Sequence, residues 1–220
     1  MIDLQNILRM VKANENDKPR YGNLVKSQDG ERSNAARHKA LVASSRNAGV
    51  TLDGLFKTRA GFEEWISKFP EGIIDPKHCI SCRLWDPEEK VLNEHTAWII
   101  PRIFINYISI YQRRDSGIAG ASVDKNGRYK AARKGRYVGV FDTAMEAHIQ
   151  WIRYGVDVFD ELLTANAAII DSVSLARVRE IQDVFRRYAE NNTIMKQIPA
   201  SQLDRETLKQ QYFNSLKGNS

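Results

Sequence analysis

The residues best suited to binding a metal ion are Cys79 and Cys82, a Cys-x-x-Cys pair directly preceded by His78. His95 is a candidate for a further ligand. A structural zinc ion normally takes four ligands, usually from two such pairs, and this chain offers one pair. We therefore interpret the cysteines as ordinary thiols. Two cysteines in 220 residues also fit a reducing compartment rather than a disulfide framework.

Positive charge is concentrated in residues 111–136. This segment holds eight lysines and arginines against two acidic residues, which accounts for the whole formal net charge of +6. Such a run is either a solvated loop or a surface for an anionic partner, of which nucleic acid is the commonest. The basic residues of the segment are Arg113, Arg114, Lys125, Arg128, Lys130, Arg133, Lys134 and Arg136.

Three short antiparallel strands, predicted at residues 118–123, 128–133 and 136–141, would position this charge. Asn126-Gly127 is a strong hairpin signal between the first two strands, and a second turn is expected at residues 134–135. Thr143, followed three residues later by Glu146, forms a capping box. This box predicts a helix that begins at residue 143 and ends at about residue 163.

Alternation along the strands predicts which side chains face that helix. Tyr129 and Ala131 would face it, and so would Val138 in the third strand. The opposite, open face of the sheet would then carry Arg128, Lys130, Ala132 and Tyr137. A small basic and aromatic sheet face of this kind fits the major groove of B-DNA.

Helices are predicted elsewhere from apolar residues at helical spacing, at residues 1–11, 34–47, 58–69, 174–189 and 202–216. Thr58 is the expected N-cap of the helix at residues 58–69. Residues 13–33 are expected to be flexible, residues 72–93 irregular, and residues 96–100 a strand. The pattern leaves residues 101–111 open between helix and strand. We interpret His38 and His148, on predicted helices, as surface or interface residues.

Residues 120–151, GASVDKNGRYKAARKGRYVGVFDTAMEAHIQW, resemble the DNA-binding domain of plant APETALA and ethylene-response factors. The shared pattern is Gly-small, then Gly-x-aromatic-x-Ala, then Gly-x-Phe-Asp-Thr followed by Ala and an aromatic residue. Here it comprises Gly120-Ala121, Gly127 to Ala131, Gly139 to Thr143, Ala147 and Trp151. The resemblance implies that exposed strand residues contact bases and phosphates in the major groove.

Carried over position by position, the resemblance implies DNA contacts from Ser122, Asp124, Asn126, Arg128, Lys130 and Tyr137. The basic character of the segment adds Lys125, Arg133, Lys134 and Arg136. Ser122, Asp124 and Asn126 replace arginines and a tryptophan of the family. We therefore expect a base preference different from that of the plant proteins.

Residues 90–108, KVLNEHTAWIIPRIFINYI, resemble the segment that precedes such domains in phage-encoded HNH-type proteins, relatives of homing endonucleases. The combined resemblance spans residues 36–188. An HNH site uses a histidine to activate water and a metal ion to stabilise the leaving group. The acidic motif of those proteins falls here on residues 79–82, which hold no acid. Asn93 and His95 are the remaining catalytic candidates, so we expect a degenerate nuclease region without a cofactor, or with Mg²⁺ if it cuts.

These observations predict an α+β protein. Its expected parts are an N-terminal helix and flexible segment at residues 1–33, a helical, degenerate HNH-like region at residues 34–110, a DNA-binding sheet with one helix at residues 111–165, and a helical C-terminal extension at residues 166–220. No apolar run is long enough to cross a membrane, and no signal peptide is expected.

The expected function is double-stranded DNA binding, site-specific and regulatory, without catalysis. The resemblance implies a phage-encoded protein in the cytoplasm of an infected bacterium, and a homodimer is possible. One alternative is a metal-dependent HNH homing-type endonuclease in which His95 is the general base. The other is an interaction factor whose basic segment binds an acidic host protein.

Overall fold

A computed structural model describes residues 33–71, 73, 77–108, 110, 115–133 and 136–218. The predictions for residues 1–32 lie outside this range, as do Arg113, Arg114 and Lys134. The described fold is mixed α+β, with 49% helix and 15% strand, which confirms the predicted fold class.

The described chain begins with helix α1 (Asn34–Asn47), whose bounds agree with the prediction. Strand β1 (Thr51–Leu52) and a short 3₁₀ helix (Gly54–Lys57) follow, and then helix α2 (Arg59–Ile66). The Thr58 hydroxyl accepts a hydrogen bond from the Gly61 N–H, which confirms Thr58 as the N-cap. Helix α2 ends three residues before the predicted end.

The middle of the chain forms two small two-stranded sheets. Strand β2 (His78–Ser81) pairs antiparallel with β4 (Trp98–Pro101), and β3 (Val91–Leu92) pairs parallel with β1. The prediction of an irregular segment at residues 72–93 is therefore wrong for β2 and β3. Helix α3 (Arg102–Ile108) follows β4 directly. The sequence pattern leaves residues 101–111 open between helix and strand, and the structure shows a helix at residues 102–108.

A separate three-stranded antiparallel sheet contains β5 (Ala121–Val123), β6 (Tyr129–Arg133) and β7 (Arg136–Phe141) in that order. Helix α4 (Ala144–Ala165) packs against all three strands. The Thr143 hydroxyl accepts from the Glu146 N–H while the Glu146 carboxylate accepts from the Thr143 N–H, so the predicted capping box is confirmed. The predicted sheet on a single helix is thus present.

Two further helices complete the described chain, α5 (Ser172–Glu190) and α6 (Arg205–Gly218). Helix α5 packs along α4, and the apolar core extends without a break from Phe56 in the first half of the chain to Ile198. The rings of Tyr212 and Phe213 in α6 contact Trp98 of β4 at centroid distances of 5.5 and 5.9 Å. The helices after residue 166 therefore share one core with both preceding parts.

His148 is completely buried in α4, so its interpretation as a surface residue is wrong. Its Nδ1 lies 2.7 Å from the Ala119 carbonyl oxygen, and its Nε2 accepts a hydrogen bond from the Met195 N–H at 2.8 Å. Because Nε2 is the acceptor, the proton resides on Nδ1 and the ring is neutral. Burial lowers the pKa of His148, which favours this state. The ring thus joins the start of the sheet to the segment after α5.

Candidate nucleic-acid interface

The register of the sheet separates two rows of side chains. Ala121, Ala131 and Gly139 lie opposite one another and face α4, and the two alanines are fully buried. The next row, Ser122, Lys130 and Val140, therefore lies on the open face. In β6 this separation agrees with the alternation inferred from the sequence, with Ala131 facing α4 and Lys130 on the open face.

A β-bulge at Val138 changes the alternation in β7. Ala131 is paired with Gly139, but Ala132 is paired with Tyr137, so Val138 is an extra residue in this strand. Tyr137 therefore lies on the open face together with Val140, although the two are three positions apart. Val138 packs toward the core, as predicted.

Tyr137 and Lys130 are the most prominent side chains of the open face. Tyr137 is 63% exposed, the largest exposure of any large apolar side chain in the described residues. The Lys130 ammonium lies 5.7 Å from the centroid of the Tyr137 ring, within range of a cation–π interaction. The pair presents a positive charge and an aromatic ring side by side to solvent.

Arg128, just before β6, forms an ion pair with Asp142 at 3.0 Å. Its side chain is 51% exposed and that of Asp142 is 82% exposed, so water screens the pair. An incoming phosphate can compete for the guanidinium because an exposed ion pair is weak. Asp142 was not among the residues predicted for this site, and strand pairing alone places it beside Arg128.

The turn between β5 and β6 is held by Asp124, whose carboxylate accepts hydrogen bonds from the Asn126 N–H at 2.8 Å and the Arg128 N–H at 2.9 Å. Gly127 completes the turn with φ +77°. The Gly127 N–H also bonds to the Asp124 carbonyl at 3.2 Å, and Gly127 alone of these turn residues has a positive φ, so this is not a two-residue turn with two positive φ values. Asp124 thus has a turn-forming role, while Lys125 and Asn126 are exposed at the tip.

Arg133 is 3% exposed, which contradicts its placement among DNA-contacting residues. Its guanidinium lies 4.1 Å from the Trp151 ring centroid and 4.9 Å from that of Phe185 in α5. It also closely approaches Gly155 of α4, where a Cβ atom would lie 2.6 Å from Nη1. Arg133 therefore connects the end of β6 to the two helices behind the sheet.

Two other predicted contact residues have intermediate exposure. Ser122 donates its hydroxyl to the Lys130 carbonyl at 3.3 Å, so this group supports the strand pairing. Arg136 is half-buried and lies opposite Arg133 at the start of β7. The open face therefore depends on Arg128, Lys130 and Tyr137, with Lys125 at the turn.

Asn93 and His95 lie in the loop between β3 and β4. The Asn93 side chain accepts hydrogen bonds from the His95 and Thr96 N–H groups, each at 3.0 Å, and so forms the loop. The His95 ring is 68% exposed, with Nε2 at 3.9 Å from Glu94. Lys209 of α6 donates to the His95 carbonyl, and burial lowers the pKa of this lysine to about 8.

Cys79 and Cys82 donate to the carbonyl oxygens of Ile100 and Glu89, at 3.6 and 3.7 Å. Burial raises the pKa of each thiol to about 11. His78 directs Nε2 to the Ile169 carbonyl at 3.2 Å. Within the part of the chain that the structure describes, no three histidine, cysteine or acidic side chains are grouped to hold a metal ion.

No family of known proteins, no curated protein and no solved structure matches the chain. No helix within the described ranges has the length and apolar character needed to span a bilayer.

Proposed function

We propose that this protein binds double-stranded DNA through the open face of the sheet formed by β5, β6 and β7. The observation that carries the proposal is the placement of Arg128, Lys130 and Tyr137 on one exposed face while α4 covers the other. A sheet of this size can enter the major groove, where base edges are accessible. The cations then neutralise phosphates, and the sheet face meets the floor of the groove.

The test compares two pairs of alanine variants in fluorescence anisotropy with a random-sequence duplex of about two helical turns. Lys130→Ala and Arg128→Ala each remove a cation of the open face. Lys57→Ala and Arg59→Ala are the matched controls, because both residues are exposed, form ion pairs and belong to the 3₁₀ helix and α2 rather than to this sheet. Each of the four variants removes one positive charge, so the test variants and the controls have the same net charge.

We expect the open-face variants to weaken binding several-fold and to reduce the slope of log affinity against log salt by about 0.9 per lost phosphate contact. The controls should retain the wild-type slope. Equal effects from all four variants would show that only net charge matters, and would refute the proposed face.

Selection from a random duplex library at about 150 mM salt tests whether binding is site-specific, because phosphate contacts alone carry no sequence information. A single uncut consensus supports a site-specific regulator that acts without catalysis, and a palindromic consensus supports a homodimer. Magnesium is included and the recovered DNA is examined for nicks. Nicking that is lost in His95→Ala would instead support the endonuclease.

A further inference from the structure

The centre of the open face is apolar. Val140 and Ala132 lie on this face by register, next to Lys130 and Tyr137, and both are partly accessible. Their neighbours Val138 and Phe141 pack on the core, whereas Val140 and Ala132 do not belong to it. The sheet therefore presents two aliphatic side chains to solvent between its positive charges.

The polar groups around this apolar centre already have partners within the protein. The Ser122 hydroxyl donates to the Lys130 carbonyl, and the Arg128 guanidinium is paired with Asp142. The Lys130 ammonium lies over the Tyr137 ring. A ligand that contacts Val140 is therefore selected by apolar contact more than by hydrogen bonds.

The apolar group that a base exposes in the major groove is the C5-methyl group of thymine, which alanine and other small apolar side chains contact. We propose that Val140 and Ala132 contact thymine methyl groups, so that the open face selects sites that contain A·T pairs at its centre. This inference rests on the proposed DNA binding. Cytosine methylated at C5 carries a methyl group at the same place in the major groove. The experiment therefore compares thymine with 5-methylcytosine as the source of the methyl group.

The experiment replaces thymine by deoxyuridine, which removes the methyl group and keeps base pairing. The probe is a mixed A·T duplex of about two helical turns, with either thymine or uracil throughout. We expect uracil to weaken binding about fourfold for each contacted methyl group. A G·C duplex with 5-methylcytosine should gain affinity over unmethylated G·C if the methyl group alone is recognised.

Protein variants connect the effect to the residue. Val140→Ala removes two methyl groups and shortens the side chain, and Val140→Ser removes both methyl groups and adds a hydroxyl. Both should bring the thymine-to-uracil affinity ratio toward one. Val123→Ala is the matched control, because Val123 is 41% exposed on the same sheet but by alternation faces the side of α4. It should keep the wild-type ratio, and thermal melting confirms that each variant is folded.

The outcomes separate this inference from the function on which it rests. A ratio that falls in both Val140 variants and not in Val123→Ala supports the methyl contact. Tight binding with equal affinity for thymine and uracil overturns the inference while the proposed function stands. Absence of binding to either duplex and to the random duplex overturns both, and would favour an acidic protein as the partner of the basic segment.

Discussion

Arg133 and Lys130 lie three residues apart on β6, and their alanine variants should affect different properties. Arg133→Ala should lower the stability of the fold, and Lys130→Ala should weaken DNA binding. In Arg133→Ala, the desolvated contacts with the Trp151 and Phe185 rings are lost, at centroid distances of 4.1 and 4.9 Å. Such contacts contribute about 2 kcal/mol, and the space left by the side chain adds about 1 kcal/mol. Relief of the buried charge offsets part of this loss. We expect the free energy of unfolding to fall by about 2–3 kcal/mol.

For a chain of this size, that loss lowers the melting temperature by about 5–10 °C. Urea unfolding followed by tryptophan fluorescence measures it, and DNA affinity is measured below the transition, where the variant is folded. Lys130→Ala should change stability by no more than about 0.5 kcal/mol, since its side chain is exposed, but should weaken DNA binding. Weakened DNA binding by Arg133→Ala with an unchanged melting temperature would refute the assignment of Arg133 to the core.

Three further predictions concern buried groups. Because burial lowers the pKa of His148 below its ordinary 6.5, the unfolded chain binds the proton first on acidification. The free energy of unfolding should therefore begin to decrease below about pH 6.5, and urea titrations between about pH 6.5 and pH 5, above the range in which carboxyl groups titrate, should show a larger decrease in wild type than in His148→Gln. Gly120→Ala should destabilise the protein by about 2 kcal/mol or more in thermal melting, since φ is +76° and the new Cβ would lie 2.3 Å from the Trp151 ring. Gly117→Ala, at φ +70° with nothing within 4 Å, should lose only about 1 kcal/mol, and equal losses would contradict the steric argument. The Cys82 thiol, which is buried and has its pKa raised to about 11, should react with iodoacetamide at neutral pH only after unfolding in urea, so rapid alkylation of this residue in the native protein would contradict its burial.

Local signals predicted the sheet on α4 well. Thr143 and Glu146 form their capping box, and β7 has the predicted bounds, because these features depend on residues close together in sequence. Strand β2 was missed because its strand character comes from pairing with β4 about twenty residues later, a non-local contact that no short pattern encodes.

The candidate site was predicted less completely, for two physical reasons. Alternation from Ala131 already places Arg133 on the helix side, but its charge suggested a solvent contact, and only Trp151 of α4 shows what shields it. The bulge at Val138 puts Val140 on the open face, and sequence alternation across β7 does not show this. Asp142 was missed for a similar reason, since its partner Arg128 is distant in sequence.

The bond between the His148 ring and the Met195 N–H affects how this molecule can be divided for experiments. A recombinant fragment that ends with α4 would lack that donor and the Phe185 ring beside Arg133. It would leave a buried imidazole acceptor unsatisfied and an aromatic surface open to water, both of which favour aggregation. The smallest fragment suited to isotope-labelled titration with a duplex therefore extends past Ile198 and through α6, whose Tyr212 and Phe213 rings pack on Trp98 of the same core.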